Sequence, residues 1–473
     1  MDLLRVKPVE PATKEENPLR AELGGLQLTL LGIGCIVGTG IFVITGTAAA
    51  QHAGPAIVLS FIFSAIGCLC AGFCYAELAS MIPLCGSAYT YAYSTIGEIF
   101  AWIIGWDLIL EYLVGSATVA VGWSGYVVSF LSGIGIHFPT ALCNAPLVFK
   151  DGWALSGAVL NLPAVLIVLA VTLILIIGIR ESSAVNAVIV AIKVVIILLF
   201  VAFCFPHVQL ANWEPFIPAS TGFGQFGWTG IMAGAGVIFY AYIGFDAVTT
   251  AAQETKNPQR DLPIGILGSL IICTILYVLV SLVLTGVVNY KQLDVPAPVA
   301  YAIQQVGPSV AWLRPLVELG AIAGITSVIL VLLLGQPRIF YRMAADGLLP
   351  AVFSKVHPKF KTPYVTTTVT GIVAAILAGL FPIGVLSELV SIGTLLAFVI
   401  VCISVIVLRK TRPDVPRLFE APFVPLVPIV GAILCFAQMV FLPPATWIRL
   451  LIWLVIGLAI YFGYGYRKSR LNG

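Results

Sequence analysis

Apolar residues in this chain run on for about twenty positions at a time, broken only by short polar turns. Twelve such stretches stand out, at 27–50, 55–82, 97–131, 161–179, 184–205, 227–252, 263–288, 312–341, 364–382, 385–408, 424–442 and 446–466. About 20 apolar residues are what a helix needs to cross a bilayer. A helix also satisfies its own backbone groups where no water is at hand. A membrane barrel would need short alternating segments, and these runs are too continuous for that. The pattern predicts an all-α integral membrane protein of twelve transmembrane helices.

Composition agrees. The 473 residues are 60% hydrophobic and 10% charged, with mean hydropathy +1.06; soluble domains carry about 25% charged residues. Residues 1–24 read as a solvated tail, polar, mixed in sign and interrupted by Pro8, Pro11 and Pro18. They show no apolar signal-peptide region. The loops at 132–160 and 206–226 are the longest outer ones, and neither reads as a folded domain. Most of the ten cysteines lie inside apolar runs (Cys35, Cys68, Cys70, Cys74, Cys204, Cys273, Cys402 and Cys435), as packing residues do. The four histidines sit near span ends or loops, with no metal-binding motif. No metal, cofactor or reactive cluster is expected, which speaks against a membrane enzyme. The intramembrane charges are too sparse and too mixed in sign for a channel's continuous polar pore.

Lys and Arg set the orientation. With the N-terminus inside, only Lys150, Lys291, Arg314 and Arg449 fall on the outer side, and the other flanking cations fall on the inner one. The positive-inside rule therefore predicts a multi-pass protein of the plasma (inner) membrane with both termini cytoplasmic. The net charge of +3 reflects topology, not nucleic-acid binding.

An ionisable group inside a bilayer costs several kcal/mol and needs a reason. Asp107 and Glu111 lie in span 3, four apart on one helix face. Each could attract a cation, carry a proton or make a structural hydrogen bond. Lys193 stands alone within "AVIVAIKVVIILLF", too far from either end to snorkel. Desolvation favours its neutral form, so it could take up and release a proton, or else serve as a fixed strut against helix carbonyls. Asp246 follows Gly244 and could cap freed backbone amides or touch a ligand. Glu77 lies toward the inner end of span 2, and Glu318 and Glu388 show no partner in the sequence.

Span 1 carries Gly38-Thr39-Gly40 at its centre, and span 6 has "GAGVIFYAYIGFD". Glycine weakens a helix by about 1 kcal/mol each. If span 1 unwinds there, the amides of Gly38 to Ile41 suit a carboxylate. Carbonyls near Ile36 suit an ammonium group, the Thr39 hydroxyl adds a hydrogen bond, and a second break around Ala241–Gly244 completes the site for an α-amino acid. Close helix packing through small residues is the competing explanation. If spans 1–5 repeat as 6–10, the odd repeat length inverts the second copy, as in transporters with broken helices.

Four segments carry a resemblance: "GTGIF" in span 1, Cys74 to Gly115 across spans 2 and 3, "FYAYIGFDAVTTAAQETKNPQRDLPIGI" from Phe239, and "GQPRIFYRMAADGLLP" from Gly335. In these the chain resembles the amino acid–polyamine–organocation (APC) superfamily of transporters, and within it the cationic amino acid transporter group. The resemblance implies a five-plus-five inverted repeat of the leucine-transporter type over residues 25–408, with two further helices in 409–473. It places the substrate at Ile36, Gly38, Thr39, Gly40 and Ile41 and at Tyr240, Ala241 and Ile243, with Tyr240 as the aromatic gate. It turns Glu111 toward the side-chain pocket and puts Thr326 and Ser327 near that pocket and near Lys193. It also implies proton coupling at Lys193 and Thr326, with Asp246 structural or gating. The expected activity is proton-coupled uptake of L-amino acids by alternating access, arginine and lysine first and alanine possible, with exchange without proton coupling as the alternative.

Overall fold

The computed structural model describes residues 5–7, 23–81, 87–149, 152–178, 183–251, 255–360, 362–413, 417 and 419–472. Lys14, Arg20, Lys150, Arg180 and Lys361, counted above for orientation, and the three prolines of the tail lie outside them. The described helices used below are α1 (Gly25–Ile36), α2 (Ile57–Met81), α3 (Ser87–Thr95), α4 (Glu98–Ile109), α5 (Gly115–Gly133), α6 (Leu162–Ile177), α7 (Ser183–Cys204), α8 (Gly227–Ile238), α9 (Pro258–Val287), α10 (Leu313–Ala345), α11 (Tyr364–Leu380), α12 (Ile383–Thr411), α13 (Leu426–Val440) and α14 (Pro444–Ile460). Among the described residues eight helical segments are long and apolar enough to cross a membrane, and four apolar helices are shorter. The chain is mostly helical and built to sit in a membrane.

Local signals set the helix ends. At the start of α1 the Gln27 side chain accepts from the Gly24 amide at 2.8 Å. Asn161 caps α6 through the Ala164 amide, and Gly178, at φ 85°, ends it in the left-handed region. The 132–160 loop holds a feature the hydropathy pattern does not announce, a two-stranded hairpin of β1 (Leu147–Phe149) and β2 (Trp153–Leu155). Arg449 stacks on its Phe149 ring at 4.6 Å.

Burial ranks the helices. The Gly227–Thr249 segment has 94% of its apolar window buried, against 28% for Val185–His207. The broken sixth span is thus central and α7 peripheral, with Leu198 and Val195 turned outward. Lys193, on peripheral α7, is itself fully buried and faces the bundle. α9 packs against both α1 and α2, and α10 against α5 and α7. Eight described cysteines are buried or half-buried within the bundle, as packing residues are.

The charges without a visible partner mostly find one. Glu77 is held by Arg409 at 2.8 Å and accepts from the Ala421 amide. Glu318 pairs with Arg314 at 3.0 Å and accepts from Ser129. Glu388 accepts from Thr446 at 2.6 Å and lies 3.3 Å from Arg449. These are structural ion pairs at the bundle's ends. The tail, expected to be solvated, is docked where it is described: Arg5 to Lys7 pairs with α3, α4 and the end of α10.

Candidate functional site

The first span breaks as expected but one residue early. α1 ends at Ile36, Val37 is extended at φ −75° and ψ 96°, and the chain turns helical again from Thr39. The interruption covers Val37 and Gly38, and the first turn of the second half-helix begins at Thr39 to Ile41. A helix's first amides have no intrahelical acceptor, so this turn points free N–H groups at the break. In the sixth span α8 ends at Ile238, a tight turn covers Phe239–Tyr242, and Ile243 is extended. Gly244 follows at φ 111°, a conformation that favours glycine.

The two breaks touch. A Cβ on Gly40 would lie 2.4 Å from the Ala241 Cα, and one on Gly244 would lie 3.0 Å from the Cys35 Cβ. At Gly40 the packing explanation and the binding explanation coincide, because the glycine lets one break approach the other.

Two side chains take up the freed carbonyls. Lys193 Nζ donates to the Gly34 carbonyl at 2.7 Å and to Val37 at 3.0 Å. Its stem lies along α10, where a Cβ on Gly324 would stand 2.9 Å from Lys193 Cε. The Tyr277 hydroxyl lies 2.8 Å from the Ile36 carbonyl and 2.7 Å from that of Ala241. With one proton to give, it donates to one at a time and bridges both breaks. The Thr39 hydroxyl turns to α5 and donates to Val119 at 3.3 Å.

A cavity of about 20 Å³ lies between the breaks, lined by Ile36, Gly38, Thr39 and Gly40 on one side and Tyr240 and Ile243 on the other. That is room for about one water. Glu111, Gly115, Val119, Val328 and Leu332 close its remaining walls. Tyr240 reaches across toward the Gly115 carbonyl at 3.4 Å. Glu111 sits in a π-helical turn, Leu110–Val114, and faces Asp246 and the Thr394 hydroxyl. Such turns are rare and cluster at functional sites. Asp246 accepts from the Tyr112 hydroxyl at 2.9 Å. Asp107 is buried, and neither of its carboxyl oxygens has a hydrogen-bond partner among the described residues.

Ile41 is buried in the first turn after the break, and Ala241 supplies backbone. Thr326 and Ser327 do not line the cavity in this conformation. Thr326 accepts from Trp123 Nε1 at 2.9 Å, and Ser327 donates to the Gly324 carbonyl. Apolar Val328 and Leu332 occupy the wall instead. Their identities carry no sequence signal, whereas Tyr277, a tyrosine within an apolar run, carries one: a buried tyrosine needs a partner. Tyr277→Phe is expected to weaken substrate binding about tenfold, the weight of one buried hydrogen bond, as measured by equilibrium binding to purified protein.

Two interrupted helices meeting at a buried cavity, with backbone groups of both polarities at the meeting point, fit a membrane transporter. A family model described as amino acid permease matches residues 23–461. The chain belongs to that family, within the APC superfamily. It is 49% identical to the branched-chain amino acid permease BcaP of Bacillus subtilis over 98% of this chain and 96% of the relative. It is 48% identical to the methylthioribose transporter of the same organism over 99% of each. It is 39% identical to the vacuolar cationic amino acid transporter 4 of Arabidopsis thaliana over 87% of this chain and 68% of the relative.

Proposed function

We propose that this permease is a secondary active carrier that takes up L-amino acids with a proton by alternating access. The observation that carries the reading is the contact between the two helix breaks, with amides of Thr39 to Ile41 beside the carbonyls of Ile36 and Ala241. The amides bind the substrate carboxylate and the carbonyls its ammonium group. Tyr240 closes over the substrate. Lys193 holds the first break while protonated and releases it when it loses the proton. Twelve spans form a five-plus-five inverted repeat over residues 25–408 with two helices beyond it, and both termini lie in the cytoplasm.

The side-chain end of the cavity favours small or branched aliphatic substrates. Ile243, Val328, Leu332 and Val119 form an apolar wall, and burying a Val- or Leu-sized side chain contributes about 1.5–3 kcal/mol. The name of the BcaP relative points the same way. Arginine or lysine is the second reading, supported by Glu111 in the wall and by the plant relative's name. The relative named for methylthioribose, which lacks the amino acid zwitterion, adds a competitor to the test.

Purified protein in proteoliposomes is the test, given a panel of alanine, valine, leucine, arginine and methylthioribose with and without an inward proton gradient. Gradient-driven accumulation of the aliphatic amino acids is expected. Exchange that ignores the gradient would select the antiporter alternative. Glu111→Gln is expected to change valine uptake by less than about threefold and arginine competition by more than tenfold, since a carboxylate discriminates charge and not apolar bulk. Equal effects on both would remove Glu111 from substrate selection.

A further inference from the structure

At the bundle end that carries both termini, α9 borders a groove of about 660 Å³. Gln259 and Arg260 line its polar end, and Ile264, Leu267 and Gly268 continue it along the helix. Phe419 forms the facing wall. Ile271 and Ile275, 49% and 55% exposed, carry the apolar stripe two turns deeper. The spacing of three to four residues keeps the whole stripe on one helix face. That face runs from charge at the membrane edge to hydrocarbon within, as a phospholipid does.

Arg260 differs from its neighbouring cations. Arg409 and Arg417 lie 2.8 and 3.5 Å from Glu77, and Arg342 lies 3.6 Å from Asp346. Among the described residues Arg260 has no carboxylate partner. The adjacent Asp261 carboxylate turns back to accept from the Asn257 amide at 3.3 Å. Lys256, also exposed, adds a second cation four residues earlier. Positive charge without a counter-ion beside an apolar groove suits an anionic amphiphile.

The walls are held by the fold. Ile264 packs on α1, where a Cβ on Gly25 would stand 3.1 Å from its Cγ2. Its carbonyl lies 3.4 Å from the Thr29 hydroxyl. The Lys256 amide donates to the Leu23 carbonyl at 2.9 Å, which ties the start of α9 to the start of α1. The facing wall is anchored two residues past Phe419, where the Ala421 amide donates to Glu77 at 2.8 Å. The groove is thus preformed, and an occupant bridges α9 and the segment ahead of α13.

The geometry points to a site for one anionic phospholipid, its phosphate on Arg260 and an acyl chain between Ile264, Leu267 and Phe419. The lipid comes from the leaflet at the face bearing the termini. A cation facing an anionic headgroup is worth about fivefold in affinity. The apolar groove retains the chain whatever the headgroup.

Full-length protein in detergent is titrated with dioleoyl phosphatidylglycerol or dioleoyl phosphatidylcholine, and the bound fraction is read by native mass spectrometry. Wild type is expected to bind phosphatidylglycerol about fivefold more tightly, and Arg260→Gln to lose that preference. Phe419→Ala is expected to weaken both lipids alike, by at least about threefold. Lys359→Gln removes an exposed cation that does not line the groove, and the preference should survive it. An unaltered elution volume checks the folding of each variant. Equal binding of the two lipids by wild type, or a preference that survives in Arg260→Gln, overturns the site. An equal loss in Lys359→Gln also overturns it, since general attraction between a basic surface and acidic lipid would then suffice. Displacement of phosphatidylglycerol by excess soluble glycerol phosphate would reveal a free-phosphate site and overturn the lipid assignment.

Discussion

Gly40→Leu is expected to abolish amino acid binding and uptake in membranes that still hold full-length, inserted protein. The reason is steric and local. The first atom of any side chain at residue 40 would fall 2.4 Å from the Ala241 Cα and 3.2 Å from its backbone nitrogen. Backbone cannot rotate aside as a flexible side chain can, so the breaks must separate. Overpacking a well-filled core costs about 1–3 kcal/mol for a single methylene and more for a branched side chain. Separation also pulls the Ile36 and Ala241 carbonyls away from Tyr277, which reaches both. Gly40→Ala should already lose at least about tenfold in affinity, and Gly40→Leu all measurable binding. Titration of purified protein with its best substrate measures the loss, with the elution volume in detergent as the check on folding. Wild-type affinity in Gly40→Leu would show that the breaks are not the binding site.

Lys193→Ala is expected to remove gradient-driven accumulation while substrate exchange persists. The ammonium group donates to two carbonyls, Gly34 and Val37, on either side of the helix end. In alanine's place those acceptors have no donor, and the first half-helix no longer has a proton-dependent tie to α7. A proton can drive transport only if it binds one state of the carrier better than the other. On the proposed switch, deleting Lys193 deletes that difference, so the accumulation ratio should fall to about one. Uptake in proteoliposomes under an imposed pH difference, compared with counterflow at equal pH, separates the two outcomes. Undiminished accumulation in Lys193→Ala would sink the switch.

The apolar runs announce the membrane helices because hydropathy acts over twenty residues at once. The paired glycines announce the breaks because they weaken helices wherever they fall. Finer placement escapes both signals. The first interruption begins at Val37, ahead of the glycines, since the tie from Lys193 and the contact with Ala241 select where the chain opens. The π turn around Glu111 has no sequence mark, and it adjusts which way the carboxyl points. The resemblance puts Thr326 and Ser327 near the pocket, whereas in this conformation they bond to Trp123 and Gly324 and the cavity wall presents Val328 and Leu332. Helical phase decides that, and a phase is invisible until the neighbouring helices are placed. The ion pairs of Arg5 and Lys7 join residues 93 and 339 positions apart, beyond the reach of any local pattern.

The cavity between the breaks has a consequence for the carrier's behaviour between turnovers. Its walls close to about one water's room in this conformation. A substrate, by wedging the walls apart, is then the agent that licenses movement. Coupling becomes a property of closeness between Gly40 and Ala241, and any substitution that loosens that contact should show first as a current without cargo.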